Sequence, residues 1–129
     1  MNKSCLSKVV VDRLCEHFDI PDFDAQRISF CVSVLRINEQ HFYHTMSLVI
    51  RLLGEIDGCI SDVFIGCFMI VNKLGASVTP NRCLSQMLTI ALADLLDMEL
   101  SVLTTLTNIV VHPVEIDQLR DISKTEVIV

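Results

Sequence analysis

The sequence predicts a single all-α domain, a bundle of five to seven helices around a central apolar helix. Hydrophobic residues make up 51% of the 129 residues and recur at spacings of three and four along most of the chain, which is the helical period. Four Gly and three Pro suit long helices with short loops better than many strands and turns. The length fits one domain over residues 1–129.

Two helices are predicted within residues 4–37. The first covers Ser4–Phe18, where the apolar residues lie on one helical face. Asp19–Asp24 contains Pro21 and is predicted to be a loop. Asp24 is a suitable N-cap for a second helix over Ala25–Ile37, because its carboxylate can accept a free backbone N–H.

The next two helices each have a predicted capping residue. Asn38 is expected to cap Glu39–Leu53, and Ser61 is expected to cap Asp62–Leu74. The second of these helices is apolar on almost every side, so it should be largely buried. Gly75 follows it at the usual place for a helix end.

The Thr79-Pro80 pair is the clearest helix start, with Thr79 as the cap and proline in the first turn. The helix Pro80–Leu96 is predicted to be the central one, with Leu88 and Leu92 buried. Shorter helices are predicted over Ser101–Ile109 and Pro113–Ile122. Some β-branched runs favour strands instead: Val9–Val11, Ile109–Val111 and Val127–Val129.

The charge and hydropathy pattern narrows the classes of partner. The net charge is −6, so the chain should repel phosphate backbones, and nucleic acid is not an expected partner. Uncharged stretches such as Val63–Asn72 and Cys83–Ala93 are well short of the ~20 residues that span a bilayer. Charged residues interrupt Met1–Cys15, which therefore lacks the pattern of a signal peptide. The expected location is the cytoplasm or nucleus.

No residue pattern predicts catalysis, a metal or a cofactor. The six cysteines form no C-x-x-C pair and are interpreted as small core residues, Cys83 included, although a thiol in a first helical turn can also be reactive. His41 and His44 share a helical face but lack a spaced third zinc ligand. Three carboxylates near one helix end are interpreted as solvated: Asp94, Asp97 and Glu99.

From about Phe42 onward the chain carries five segments in a distinctive order. They are Leu48-Val49-Ile50-Arg51-Leu52, Ile70-Val71-Asn72-Lys73-Leu74, Val78-Thr79-Pro80-Asn81, Leu92-Ala93-Asp94-Leu95-Leu96-Asp97 and Glu115-Ile116-Asp117-Gln118-Leu119-Arg120. Their order and approximate spacing resemble the cyclin box, in particular short cyclins with a single box. The family patterns are Y-L-x-R-I, Y-I-D-R-L, L-T-x-x-N, A-S-K-F-x-D-D and E-L-N-x-L-E. The resembling region is about 42–122.

The resemblance implies a cyclin-box-like fold and a protein partner of the cyclin-dependent kinase type. In cyclins a Lys ending the central helix and a Glu ending the last pattern contact the kinase. Those places hold Asp94 and Arg120 here, which are opposite charges. The family's buried Arg–Asp pair corresponds to Arg51 and Asn72. The partner-binding face implied by the resemblance carries four residues: Lys73, Asp94, Glu115 and Arg120.

These observations give three hypotheses for function. The first is a non-catalytic, cyclin-like protein-binding module that docks and regulates a kinase or similar partner, as in the cell cycle. The second is a helical adaptor or homo-oligomer that is unrelated to cyclins and pairs through the apolar stripe of Phe42–Leu53. The third is a cysteine- or metal-dependent enzyme.

Overall fold

The computed structural model describes residues 8–75 and 78–107, which contain six α-helices and no β-strand. The helices are α1 (Lys8–His17), α2 (Asp22–Leu35), α3 (Glu39–Leu52), α4 (Ile60–Leu74), α5 (Asn81–Leu88) and α6 (Leu92–Thr107). The all-α class is therefore confirmed for this part of the chain. The β-branched run Val9–Val11 lies in α1, where buried Val11 packs in the core.

Helix α4 is the central helix of the described residues. It contacts α2, α3 and α6, and ten of its fifteen residues are buried. The prediction of a largely buried helix is confirmed here, because an apolar surface on every side needs neighbours on every side. The prediction that Pro80–Leu96 is the central helix is wrong.

The segment Pro80–Leu96 forms two helices instead of one. Helix α5 ends at Leu88, Thr89 adopts a left-handed backbone with φ 57°, and α6 begins at Leu92. Leu88 is buried, as predicted, but Leu92 is 37% exposed. No Gly or Pro marks this break, which is why the periodicity alone missed it. Helix α6 runs on to Thr107, so the separate helix predicted to begin at Ser101 is part of α6.

Three helices, α1, α2 and α5, end with the same backbone motif. A non-glycine residue adopts the left-handed conformation, and the isoleucine after it donates its N–H to a carbonyl five residues back. This Schellman arrangement satisfies the last carbonyls and directs an apolar side chain inward. The three pairs are Asp19-Ile20, Arg36-Ile37 and Thr89-Ile90, and all three isoleucines are buried or pack against the core.

The predicted N-caps have different outcomes. Asn38 does cap α3, because its side chain accepts the His41 N–H at 2.8 Å. Asp24 does not cap α2, which begins two residues earlier. Its carboxylate instead accepts from the backbone N–H of Ser61 at 3.1 Å and from the Ser61 hydroxyl at 2.8 Å. Ser61 therefore lies in the first turn of α4 and receives a cap from another helix.

The apolar stripe of α3 lies inside the protein. Phe42, Met46 and Val49 are fully buried, so this stripe offers no surface for pairing two copies. The predicted helices over residues 108–129, and the start of the first helix before Lys8, lie outside the described residues. Among the residues the structure describes, no helix is long and apolar enough to cross a membrane.

Candidate partner-binding surface

Lys73, the first of the predicted binding residues, joins two helices. Its Nζ lies 2.9 Å and 2.8 Å from the two carboxylate oxygens of Glu99, which links the end of α4 to α6. The Glu99 side chain is only 10% exposed and the Lys73 side chain is 43% exposed. Glu99 was predicted to be solvated, and this is wrong, because the neighbouring helix covers it and supplies a counter-charge.

Asp94 is exposed in the first turn of α6, where the helix dipole favours a carboxylate. Lys73 pairs with Glu99, which lies on the same helix as Asp94. Lys73 and Asp94 therefore lie on adjoining helices. Glu115 and Arg120 lie outside the described residues. The structure thus describes two of the four predicted binding residues. One lies on α4 and the other on the neighbouring helix α6.

Four leucines form an exposed row on α6 that the sequence interpretation missed. Leu92, Leu96, Leu100 and Leu103 are 37%, 44%, 62% and 40% exposed, and their spacing places them on one helical face. We call these four residues the leucine row. Helix α6 has a second apolar face that is buried and includes Leu95 and Val102. The signal that could have revealed the row was the presence of two apolar faces on one helix. Only one of them can pack against α4, so the other is left exposed.

A buried polar pair holds the connection between α4 and α5. The side-chain amide of Asn72 accepts the Thr79 N–H at 3.1 Å and donates to the Thr79 carbonyl at 2.8 Å. Thr79 was predicted to cap the helix, but Pro80 occupies that position and no side chain there accepts a hydrogen bond. The buried Nε of Arg51 has no hydrogen-bond partner among the described residues. Asn72, the expected counterpart of Arg51, is thus bonded to Thr79.

A second polar cluster fastens the start of α4 to α2. Besides the bonds from Ser61 to Asp24, Arg27 Nη1 donates to the Ser61 hydroxyl at 2.9 Å and lies 3.0 Å from an Asp62 carboxylate oxygen. Asp24 is 8% exposed. Its carboxylate is stabilised by the backbone N–H at the N-terminus of α4, the end of a helix that attracts anions. The polar groups of this cluster therefore bond to one another and hold α2 against α4.

The cysteines divide into buried and exposed groups. Burial raises the thiol pKa of Cys15 to about 12 and that of Cys31 to about 11, and it also raises that of Cys67. These three match the interpretation as core residues. Cys59 and Cys83 were placed in the core too, but both are exposed. Cys83 faces solvent because the buried face of α5 is formed by Leu84 and Leu88.

The remaining candidate side chains are not grouped into a reactive or metal-binding site among the described residues. His41 and His44 are both partly buried on α3, and no group of three His, Cys, Asp or Glu among the described residues could hold a metal ion. An open groove of about 1120 Å³ lies between α1 and α2. Its lining mixes acidic and basic side chains with apolar ones, including Asp12, Glu16 and Phe30.

No protein-family model, curated protein or solved structure matches this chain. The resemblance to the cyclin box therefore stays a prediction from the sequence segments described above.

Proposed function

We propose that this chain is a non-catalytic, cyclin-like binding module that docks and regulates a kinase or similar protein partner. The observation that carries the proposal is the leucine row on α6, four exposed apolar side chains on one helical face. An apolar row of this kind is normally buried in a helical protein, and exposed apolar patches mark surfaces that bind other molecules. The sequence resemblance adds the class of partner.

The proposed contact face is the solvent-facing side of α6, with the leucine row along one edge and Asp94 along the other. It also includes Lys73 at the end of α4. Glu115 and Arg120, which lie outside the described residues, complete the face that the resemblance implies. Asp94 replaces the lysine that contacts the kinase in cyclins. In a complex with a typical cyclin, the kinase meets a lysine at this place. The partner of this chain should instead present a positive group there, because Asp94 is negatively charged.

Regulation by such a module needs no chemistry of its own. A protein that binds one conformation of its partner better than another shifts the population toward that conformation, by as much as the two affinities differ. Three buried polar side chains among the described residues have structural partners: Asp24 serves α4, Asn72 holds Thr79, and Glu99 pairs with Lys73. This supports a role for the surface and not for a buried reactive centre.

Homo-oligomerisation is the competing binding function. The stripe that suggested it lies in the core, with Phe42 and Met46 fully buried. This observation argues against pairing through α3. Sedimentation at several protein concentrations tests the alternative directly, since a homo-oligomer would grow in mass with concentration.

Reversal of the charge at Asp94 tests the proposal. Proteins captured from a source lysate by the wild-type chain should include a protein kinase, and adding the purified chain should change the activity of that kinase. Asp94→Lys should lower capture of that kinase at least about tenfold, equivalent to about 1.4 kcal/mol. Because the substitution also loses a favourable dipole contact worth up to about 1 kcal/mol, its fold is checked by circular dichroism.

Asp57→Lys is the matched control, because Asp57 is an exposed aspartate in the loop between α3 and α4. It makes the same change in net charge away from the proposed face and should leave capture unchanged. The proposal fails if the captured proteins include no kinase, or if Asp94→Lys and Asp57→Lys affect kinase capture equally.

A further inference from the structure

We infer that the leucine row binds an amphipathic helix of the partner whose apolar face is bordered by Lys or Arg side chains. The inference rests on the proposed function and adds the chemistry of the partner's binding element. It is drawn from the geometry of α6 and from the charges along it.

The shape of the row favours a helix as the bound element. Leu92 to Leu103 covers twelve residues, or eleven steps of 1.5 Å that add up to about 16.5 Å, and forms one narrow ridge. Ridges of this kind pack into the grooves between side chains of another helix. An extended peptide would add to an exposed sheet edge, and the described residues contain no strand.

The charges around the row favour a basic partner. Residues 92–107 include three carboxylates and no Lys, Arg or His. Glu99 is paired with Lys73, but Asp94 and Asp97 are exposed and have no ion-pair partner among the described residues. At 100° per residue, Asp97 lies beside Leu100 on the solvent side of the row. Lys or Arg side chains bordering the partner's apolar face would therefore meet the Asp97 carboxylate.

The same charges disfavour a second copy of this chain as the occupant. If two leucine rows packed together, each α6 would bring Asp97 to the edge of the contact, and α6 has no cation to pair with it. Lys73 is already paired with Glu99. Like charges brought together in an interface are costly. An anionic membrane surface would be repelled for the same reason.

The test uses the full chain and two synthetic helical peptides of about four turns. Both carry leucines at the spacing of the row, and they differ only in the flanking residues, which are Lys and Arg in one and Glu in the other. Fluorescence anisotropy measures the binding of each peptide at low and high salt. The basic peptide should bind at least about tenfold tighter than the acidic one, and its affinity should fall as salt screens the charges.

Variants locate the bound surface. Leu100→Ala should weaken binding of the basic peptide about tenfold, and Asp97→Asn should reduce the preference for the basic peptide severalfold. Leu100 is 62% exposed, so its replacement should leave the fold intact. The matched control is Phe30→Ala, because Phe30 is 52% exposed on α2 and its loss should leave peptide binding unchanged.

Three results would overturn the inference. One is equal affinity for the two peptides, or binding that Leu100→Ala does not weaken. Another is a dimer in sedimentation that Leu100→Glu dissociates, because a second copy would then occupy the row. The third is a large loss of stability in Leu100→Ala, which would mean that residues 108–129 of this chain cover the row.

The outcomes separate this inference from the proposed function. If Asp94→Lys abolishes capture of a kinase but the peptides bind equally, the basic helix is wrong and the kinase partner stands. If the basic peptide is preferred and Leu100→Ala weakens it, but no kinase is captured, the chemistry of the surface stands and the kinase assignment is wrong.

Discussion

Replacement of Gly66 by alanine tests whether the close crossing of α4 and α6 holds this bundle together. A Cβ at Gly66 would lie 2.7 Å from the Met98 carbonyl oxygen and 2.8 Å from Val102 Cγ2. The carbonyl belongs to the backbone of α6 and cannot rotate away. Ordinary contact begins near 3.4 Å, so α6 would have to move by about 0.7 Å.

Two opposing effects set the size of the change. Forcing extra atoms into a packed core typically costs about 1–3 kcal/mol, whereas alanine is favoured over glycine inside a helix by about 1 kcal/mol. Because the closest neighbour of the new methyl group is rigid backbone, we expect a packing cost near the upper end of that range. The net loss of unfolding free energy should be about 1–2 kcal/mol.

Urea denaturation followed by far-ultraviolet circular dichroism measures this loss. Gly75→Ala is the matched control, since its Cβ would be no closer than 3.5 Å to any atom and the free energy should change by less than about 0.5 kcal/mol. Shortening Val102 to alanine as well should show a coupling energy of at least about 0.5 kcal/mol with Gly66→Ala. If Gly66→Ala is as stable as the wild type, the close crossing of α4 and α6 is wrong.

Three further predictions concern single features of the fold. Thr89→Gly should raise the unfolding free energy by about 0.5–1 kcal/mol, because glycine adopts the left-handed backbone without strain; a loss of that size in urea denaturation would contradict the Schellman geometry at this position. Lys73→Met should lower stability at pH 7 by about 1–2 kcal/mol, since it leaves the carboxylate of Glu99 buried without a counter-charge. The exposed lysine limits this effect, and adding Glu99→Gln should restore part of the loss; identical unfolding curves for Lys73→Met and the wild type would argue against the ion pair. Native thiol labelling should modify Cys59 and Cys83 much faster than the buried cysteines. Burial raises the thiol pKa of those cysteines above the unfolded value near 8.5, so the folded state keeps their protons longer and stability should fall as pH rises above about 9; rapid labelling of all cysteines in the folded protein would contradict their burial. The buried cysteines are Cys15, Cys31 and Cys67.

Features that depend on neighbours along the chain could be predicted from the residue pattern. The helical period predicted α2, α3 and α4 to within a few residues at each end. Asn38 was identified as a cap because a cap bonds to the N–H only three residues later. The burial of α4 followed from its composition, since no side of it could face water without exposing apolar surface.

Contacts between groups from distant parts of the chain could not be predicted, because they depend on how the helices pack. Asp24 caps α4 and not its own helix, across 37 residues of sequence, and Glu99 is buried because Lys73 lies over it. Helix α6 has two apolar faces, and the packing of Leu95 and Val102 inward left the leucine row in solvent. Periodicity shows that a helix has an apolar face, but the position of neighbouring helices determines which face is covered. The candidate binding surface therefore became visible only in the folded chain.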